Sequence, residues 1–164
     1  MTDLRFNDSN IISLPELPPT LKQLTCSNCT ALVSLPQLPP TLQVLICIGC
    51  EALVSLPDIS HTILTVLDLT GCTELQRLPD LPLTLKHLYF SHSKLQRLPE
   101  LPLGLTHLCL FCIGLQPLLP PSLQRLEWSL KNFHHLTKQH LNYINFPHNY
   151  KKLILLLYLN KKII

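Results

Sequence analysis

The sequence predicts a repeat solenoid of short parallel β-strands. One frame, LPxLPxxLxxL, occupies residues 14–24, 35–45, 78–88 and 98–108, and residues 56–67 repeat it with one extra position. A fixed period of about 20 residues is typical of repeat architectures. Apolar residues then alternate along each frame's end, as expected of a strand with one buried face. Prolines in the connecting segments disfavour helix there and favour extended or polyproline-II geometry.

The strands are predicted in chain order from the leucine that ends each frame. Connections of roughly 16 residues exclude tight hairpins, so neighbouring strands must be parallel. The connection before the last strand is the shortest, because LQPLLPPSL at 115–123 lacks two residues of the frame. The predicted strand starts are Leu4, Leu24, Leu45, Leu67, Leu88, Leu108 and Leu126.

Composition and charge divide the chain at about residue 130. Of its 164 residues, 46% are hydrophobic and 14% charged, and the formal net charge is +3. Residues 131–164 hold six lysines and no acidic residue, so the remainder of the chain is mildly acidic. We therefore predict a solenoid over 1–130 and a basic, apolar cap or tail over 131–164. An open solenoid end exposes its last core layer, and an irregular or helical cap would cover it.

The N-terminal residues and the cysteines predict the cellular compartment. Asp3, Arg5 and Asp8 lie where a secretory signal would be apolar. The longest apolar run, 153–159, is much shorter than the roughly 20 residues of a membrane-spanning helix. Seven cysteines without an export signal favour a reducing compartment with free thiols. These features predict a cytoplasmic protein, or one that acts in a host cytoplasm if the chain is an effector.

The repeat frame resembles that of leucine-rich repeats, L-x-x-L-x-L-x-x-(N/C)-x-L. Its short LPxLPxxL unit is similar to the bacterial-effector type found in secreted effectors of Yersinia, Shigella and Salmonella, and the resemblance covers residues 4–130. It implies a curved parallel sheet whose concave face binds another protein. Some family members carry a C-terminal ubiquitin-ligase domain with a catalytic cysteine. No cysteine follows Cys112 and 34 residues follow the repeats, so ligase activity is not expected.

Two CxxC pairs, Cys26/Cys29 and Cys47/Cys50, have the spacing of a zinc site. The repeat frame offers another interpretation. Cys26 and Cys47 fall at the buried strand position, whereas Cys29, Cys50 and Cys72 fall at the turn position usually held by Asn. We favour a structural ladder of buried thiols. Zinc, or a disulfide between Cys26 and Cys47 at one strand spacing, remains an alternative.

A third pair, Cys109 and Cys112, is out of phase with the frame. Leu108 and Leu110 are predicted to face the core, which places Cys109 outward on the sheet. We therefore predict that this pair is more exposed and more reactive than the other cysteines.

The outward strand positions are the candidate partner-binding residues. Val44, Ile46 and Ile48 form an apolar row where solvent is expected, and exposed apolar patches mark binding sites. An aromatic and imidazole cluster follows on the next strands, and such side chains are common at interface centres. His87, His107 and Cys109 could alternatively hold a metal ion. The full predicted set is Val44, Ile46, Ile48, Asp68, His87, Tyr89, His107, Cys109, Phe111, Arg125 and Glu127.

These features predict a non-enzymatic module that binds another protein through the sheet. Only four glycines occur and none forms a phosphate-binding loop; no catalytic or metal residues and no cofactor are predicted. Nucleic acid is not expected, because the tail has no basic-aromatic recognition module. The segment KKLILLLYLNKK at 151–162 offers the alternative of an adaptor recruited to a membrane or partner by its tail. We expect a monomer.

Overall fold

The computed structural model describes residues 2–91, 94–95, 97–111, 120 and 122–128. For Ser91, Leu110, Phe111 and 125–128 it describes the backbone alone. The predictions about residues 131–164, and about Cys112, lie outside this part of the chain. In the described part, no helix is long and apolar enough to cross a membrane.

The described residues form a single parallel sheet of seven strands whose spatial order follows the chain. Each strand begins one residue before the leucine from which it was predicted. The sequential order and the parallel pairing confirm the predicted solenoid. The strands are β1 Asp3–Phe6, β2 Gln23–Ser27, β3 Val44–Ile48, β4 Val66–Thr70, β5 His87–Ser91, β6 His107–Phe111 and β7 Arg125–Trp128.

The core is a stack of leucine columns behind the sheet. Burial alternates along β2, β3 and β4. Leu24, Leu45 and Leu67 are fully buried, whereas the residues on either side of each leucine in its strand are not. The register pairs these leucines directly on neighbouring strands. Each unit therefore buries its apolar side only against the units before and after it, as repeat architectures do.

The connections are extended segments with one tight turn before each strand. In that turn, the N–H of Leu21 donates to the Pro18 carbonyl at 3.0 Å, and Leu42 and Pro39 repeat the arrangement at 3.0 Å. Proline suits this position because it presets its own φ and needs no donor. The Thr41 hydroxyl lies 2.8 Å from both the Pro19 and Leu21 carbonyls of the preceding unit. The connections thus stack on one another as the strands do.

A second turn follows β2, β3 and β4 and uses left-handed backbone geometry. Asn28, Gly49 and Gly71 have φ of 55°, 67° and 78°. The N–H of Asn28 donates to the Ile48 carbonyl, and that of Gly49 to the Thr70 carbonyl, each at 2.8 Å. Because Gly and Asn adopt positive φ most readily, this column turns the chain under the sheet with little strain.

Candidate partner-binding face

The outward face of the sheet consists of the strand residues that point away from the leucine core. From β2 to β7, its central column runs across six strands in one register. The members from β2 to β5 are half-buried. The predicted residues of this face therefore come together on one surface. The central column is Thr25, Ile46, Asp68, Tyr89, Cys109 and Glu127.

The apolar row of β3 lies on this face as predicted. Val44 and Ile46 are half-buried, and 39% of the surface of Ile48 is exposed. The core-facing positions of the same strand, Leu45 and Cys47, are fully buried. Alternation alone explains which side chains leave the core. It does not explain why the outward ones are aliphatic, since solvent-facing strand positions are usually polar.

The two histidines at the start of β5 and β6 stack face to face. The ring centroids of His87 and His107 are 4.4 Å apart and their planes differ by 6°. Nδ1 of His87 lies 3.0 Å from the Tyr89 hydroxyl. This contact joins the stacked pair to the central column of the outward face.

A hydroxyl that was not predicted as part of the site fixes the tautomer of His107. Thr106 Oγ1 lies 3.0 Å from the Lys86 carbonyl and 2.9 Å from Nδ1 of His107. A carbonyl only accepts, so the single hydroxyl proton goes to Lys86. Nδ1 of His107 must then carry a proton and donate it to Thr106. The signal for this residue was its place in the polar column one position before the strands.

The pKa of His87 is lowered, first by burial and then by the nearby His107. Both effects disfavour the charged imidazolium. The groups around the pair are Tyr89, Thr106 and, in register on the neighbouring strands, Val66 of β4 and Arg125 of β7. None of these supplies an acidic partner that would favour protonation of the pair. His87 is therefore neutral at neutral pH.

An NMR titration of the imidazole protons should show this directly. We expect His87 to titrate below the ordinary histidine value of about 6.5. Since the unfolded chain then binds the proton more readily, His87 contributes stability that is lost as the pH falls below about 6.5. A His107→Gln variant should move the pKa of His87 upward but not restore it fully, because burial remains. A midpoint at or above the ordinary value would contradict the structure.

Cys109 is less accessible than the sequence suggested. It occupies the predicted outward position in register with Tyr89, but only 9% of its surface is exposed. It is still more exposed than the other five described cysteines, which are fully buried, so the predicted order of exposure holds by a small margin. Its greater reactivity stays a prediction. Its side chain is short and lies at the centre of β6, between β5 and β7.

The cysteines of the two CxxC pairs form the ladder that the frame predicts. Cys26, Cys29, Cys47, Cys50 and Cys72 are all fully buried, and the six described cysteines are free thiols. The Cys50 thiol donates to the Cys26 carbonyl at 3.5 Å, and the Cys72 thiol donates to the Cys47 carbonyl at 3.0 Å. The turn cysteines thus tie each unit to the preceding strand.

The contacts within this ladder change the acidity of its thiols. Hydrogen bonds with Cys26 and Cys50, and then burial, raise the pKa of Cys47. A hydrogen bond with Cys50, and then burial, raises the pKa of Cys72. Cys50 differs, because its side-chain interactions with Cys47 and Cys72 lower its pKa. With no surface exposed, the ladder is structural rather than reactive.

Among the described residues, no group of three or more His, Cys, Asp or Glu side chains is arranged to hold a metal ion. His87 and His107 are adjacent, but their parallel rings do not direct their distal nitrogens at one point. A cleft of about 450 Å³ between two connections is lined by Asp58, Arg77 and Asp80 among others. The Asp58 carboxylate there already accepts from the Ser60 N–H at 2.9 Å.

Three predicted site residues are placed by backbone register alone. Phe111 pairs with Ser91, Arg125 with His107, and Glu127 with Cys109. They extend the outward face to its last strand. Their assignment as partner-binding residues remains a prediction.

Comparison with solved structures finds similar chains. The chain is similar to YopM from Yersinia enterocolitica WA-314, with 28% sequence identity and a TM-score of 0.47 over 79% of this chain. The match spans 38% of that protein's chain. No protein-family model matches the sequence, and no curated protein matches it. The repeat frame and the observed parallel solenoid together show a leucine-rich-repeat fold.

Proposed function

We propose that this leucine-rich-repeat chain is a non-enzymatic module that binds a protein partner through the outward face of its sheet. The observation that supports this most is the aliphatic row Val44, Ile46 and Ile48 on a surface that has no structural need of it. The core is complete without these side chains, since Leu45 and Cys47 of the same strand are fully buried. Exposed apolar surface of this kind is typical of interaction sites.

The neighbouring strands supply the other features of an interface centre. Tyr89 is half-buried and its hydroxyl contacts His87, so little of its rotamer freedom remains to be lost on binding. Aromatic side chains in such settings are common hot spots of binding energy. His87, His107 and Cys109 continue the surface, and Phe111, Arg125 and Glu127 follow in register.

We further propose that the module works in a reducing compartment such as the cytoplasm. The support is chemical: Cys26 and Cys47 are register partners on neighbouring strands and carry free thiols. An oxidising environment would favour their pairing at a distance within the Cα range of disulfides.

A comparison of captured proteins tests the proposed surface. Wild-type chain and an Ile46→Asp plus Tyr89→Ala variant are each used as bait in the same cell extract, and bound proteins are quantified by mass spectrometry. The amount of each specifically captured protein should be at least tenfold lower with the variant. A buried unpaired carboxylate and a lost aromatic contact both weaken an interface. Circular dichroism and thermal melting establish that the variant is folded.

The control introduces the same two residues, aspartate and alanine, in place of large apolar side chains outside the sheet. Leu83 and Leu103 lie in the turns before β5 and β6 and are 85% and 76% exposed. A Leu83→Asp plus Leu103→Ala variant should capture the same proteins as the wild type. Equal capture by wild type and the Ile46/Tyr89 variant would overturn the proposed surface.

A further inference from the structure

We propose that Asp68 is the charged centre of the outward face and selects a partner that presents a basic side chain, arginine in preference to lysine. The inference rests on the proposed function and names the partner's chemistry at that same surface. It is carried by the isolation of one carboxylate in a neutral, apolar and aromatic surrounding.

Formal charges on the outward face are few and unevenly placed. β1 contributes Asp3 and Arg5 at one edge, and β7 has Arg125 and Glu127 in register at the other. The outward residues of β2 and β3 are uncharged, and β5 and β6 contribute only histidines. Asp68 of β4 is thus the only Asp, Glu, Lys or Arg among the outward residues from β2 to β6.

The immediate neighbours of Asp68 leave one carboxylate oxygen available. Ile46 and Tyr89 are its register partners, and both are half-buried. Oδ1 accepts from the Thr70 N–H at 3.0 Å, which orients the carboxylate. The ion pairs found in the described part are Asp58 with His61 and Glu74 with Lys94, so Asp68 has no cationic partner there.

A partner that covers this face changes the hydration of the Asp68 carboxylate. Contact with Ile46 and Tyr89 would remove water from the carboxylate between them. An ionised carboxylate that loses its water without gaining a partner destabilises a complex, so an apolar or acidic segment is selected against. A basic side chain would satisfy the free oxygen with a charge-assisted hydrogen bond.

The surroundings favour arginine over lysine. A guanidinium can donate to the carboxylate while its plane stacks on the ring of Tyr89, the register neighbour of Asp68. An ammonium has no planar surface and is more strongly hydrated. His87 does not oppose a cation at neutral pH, since burial and then the nearby His107 lower its pKa.

Selection of peptides on the full chain tests the inference. A phage library of random linear dodecapeptides is selected on the wild type, and enriched sequences are synthesised and titrated calorimetrically. We expect a fixed Arg or Lys position. Asp68→Asn, whose side-chain oxygen can still accept from Thr70, should weaken binding about tenfold or more. Asp58→Asn, an exposed carboxylate in a connection, should leave the affinity unchanged.

A double-mutant cycle separates the charge pair from other effects. Citrulline in place of the peptide arginine keeps the shape and removes the charge. It should weaken binding to the wild type by the same factor as Asp68→Asn, and add little in that variant. Equal affinity of the wild type and Asp68→Asn, or enriched peptides without a basic residue, would overturn the inference.

The same peptides show which proposal fails. Peptides that need the outward face, and therefore lose affinity for the Ile46→Asp plus Tyr89→Ala variant, support the proposed function whatever their charge. Peptides that bind that variant as well as the wild type contradict the proposed function itself. A library that yields no peptide dependent on this face counts against both.

Discussion

Replacing Leu67 with alanine is expected to lower the free energy of unfolding by about 3 kcal/mol. Leu67 is fully buried in β4 and pairs in register with Leu45 and Leu88, so its column has neighbours on both sides. Truncation of a buried leucine removes favourable transfer energy and leaves a cavity, which together cost roughly 2–5 kcal/mol. Denaturant titration followed by far-ultraviolet circular dichroism measures the change.

The same substitution at Leu83 provides the control. Leu83 is 85% exposed in the turn before β5, so Leu83→Ala should change the free energy of unfolding by less than about 0.5 kcal/mol. Similar losses in both variants would mean that the leucine column of β4 is not the core. A changed denaturant slope in Leu67→Ala alone would instead show that the repeats unfold less cooperatively.

Replacing Gly71 with alanine is expected to lower the free energy of unfolding by about 2–3 kcal/mol. The φ of Gly71 is +78°, where a side chain costs roughly 1–2 kcal/mol. An added Cβ would also lie 3.2 Å from the backbone nitrogen of Gly49 and 3.3 Å from its Cα. These backbone atoms belong to the preceding turn and cannot rotate away, so the strain spreads to a second repeat.

Gly104→Ala is the matched glycine control. Its added Cβ would meet chiefly the Lys86 Nζ, at 2.8 Å, which is the free end of a flexible side chain. Lys86 can move at the expense of its exposed hydrogen bond to the Gly104 carbonyl. We expect a change below about 1 kcal/mol, measured by the same denaturant titration. Equal losses at the two positions would show that the left-handed turn column is not under the constraint described.

The solenoid could be predicted because each repeat has the same pattern of leucine and proline. Leu14, Leu35, Leu56 and Leu78 recur before proline at corresponding positions, and each is buried. Strand length, parallel pairing and register follow from the spacing, since connections of that length cannot make hairpins. The cysteine ladder was predicted for the same reason: Cys29, Cys50 and Cys72 hold one frame position.

The candidate site was predictable in membership but not in arrangement. Alternation placed Ile46, Asp68 and Tyr89 on one face, and the register aligned them. Alternation could not show that Cys109 is nearly buried, because the exposure of a side chain depends on the size and conformation of the side chains on the neighbouring strands. The role of Thr106 was also missed, since a hydroxyl contact with His107 is decided by rotamers rather than by frame position.

The sequence by itself determined the repeat, the strand that each repeat contributes and the face to which each strand residue points. These properties depend on the periodicity of the sequence, which is local and recurs in every repeat. Only the tertiary structure decided the stacking of His87 on His107, the hydrogen bonds that fix it and the isolation of Asp68. Those features depend on distances between side chains of different repeats, which no single repeat specifies.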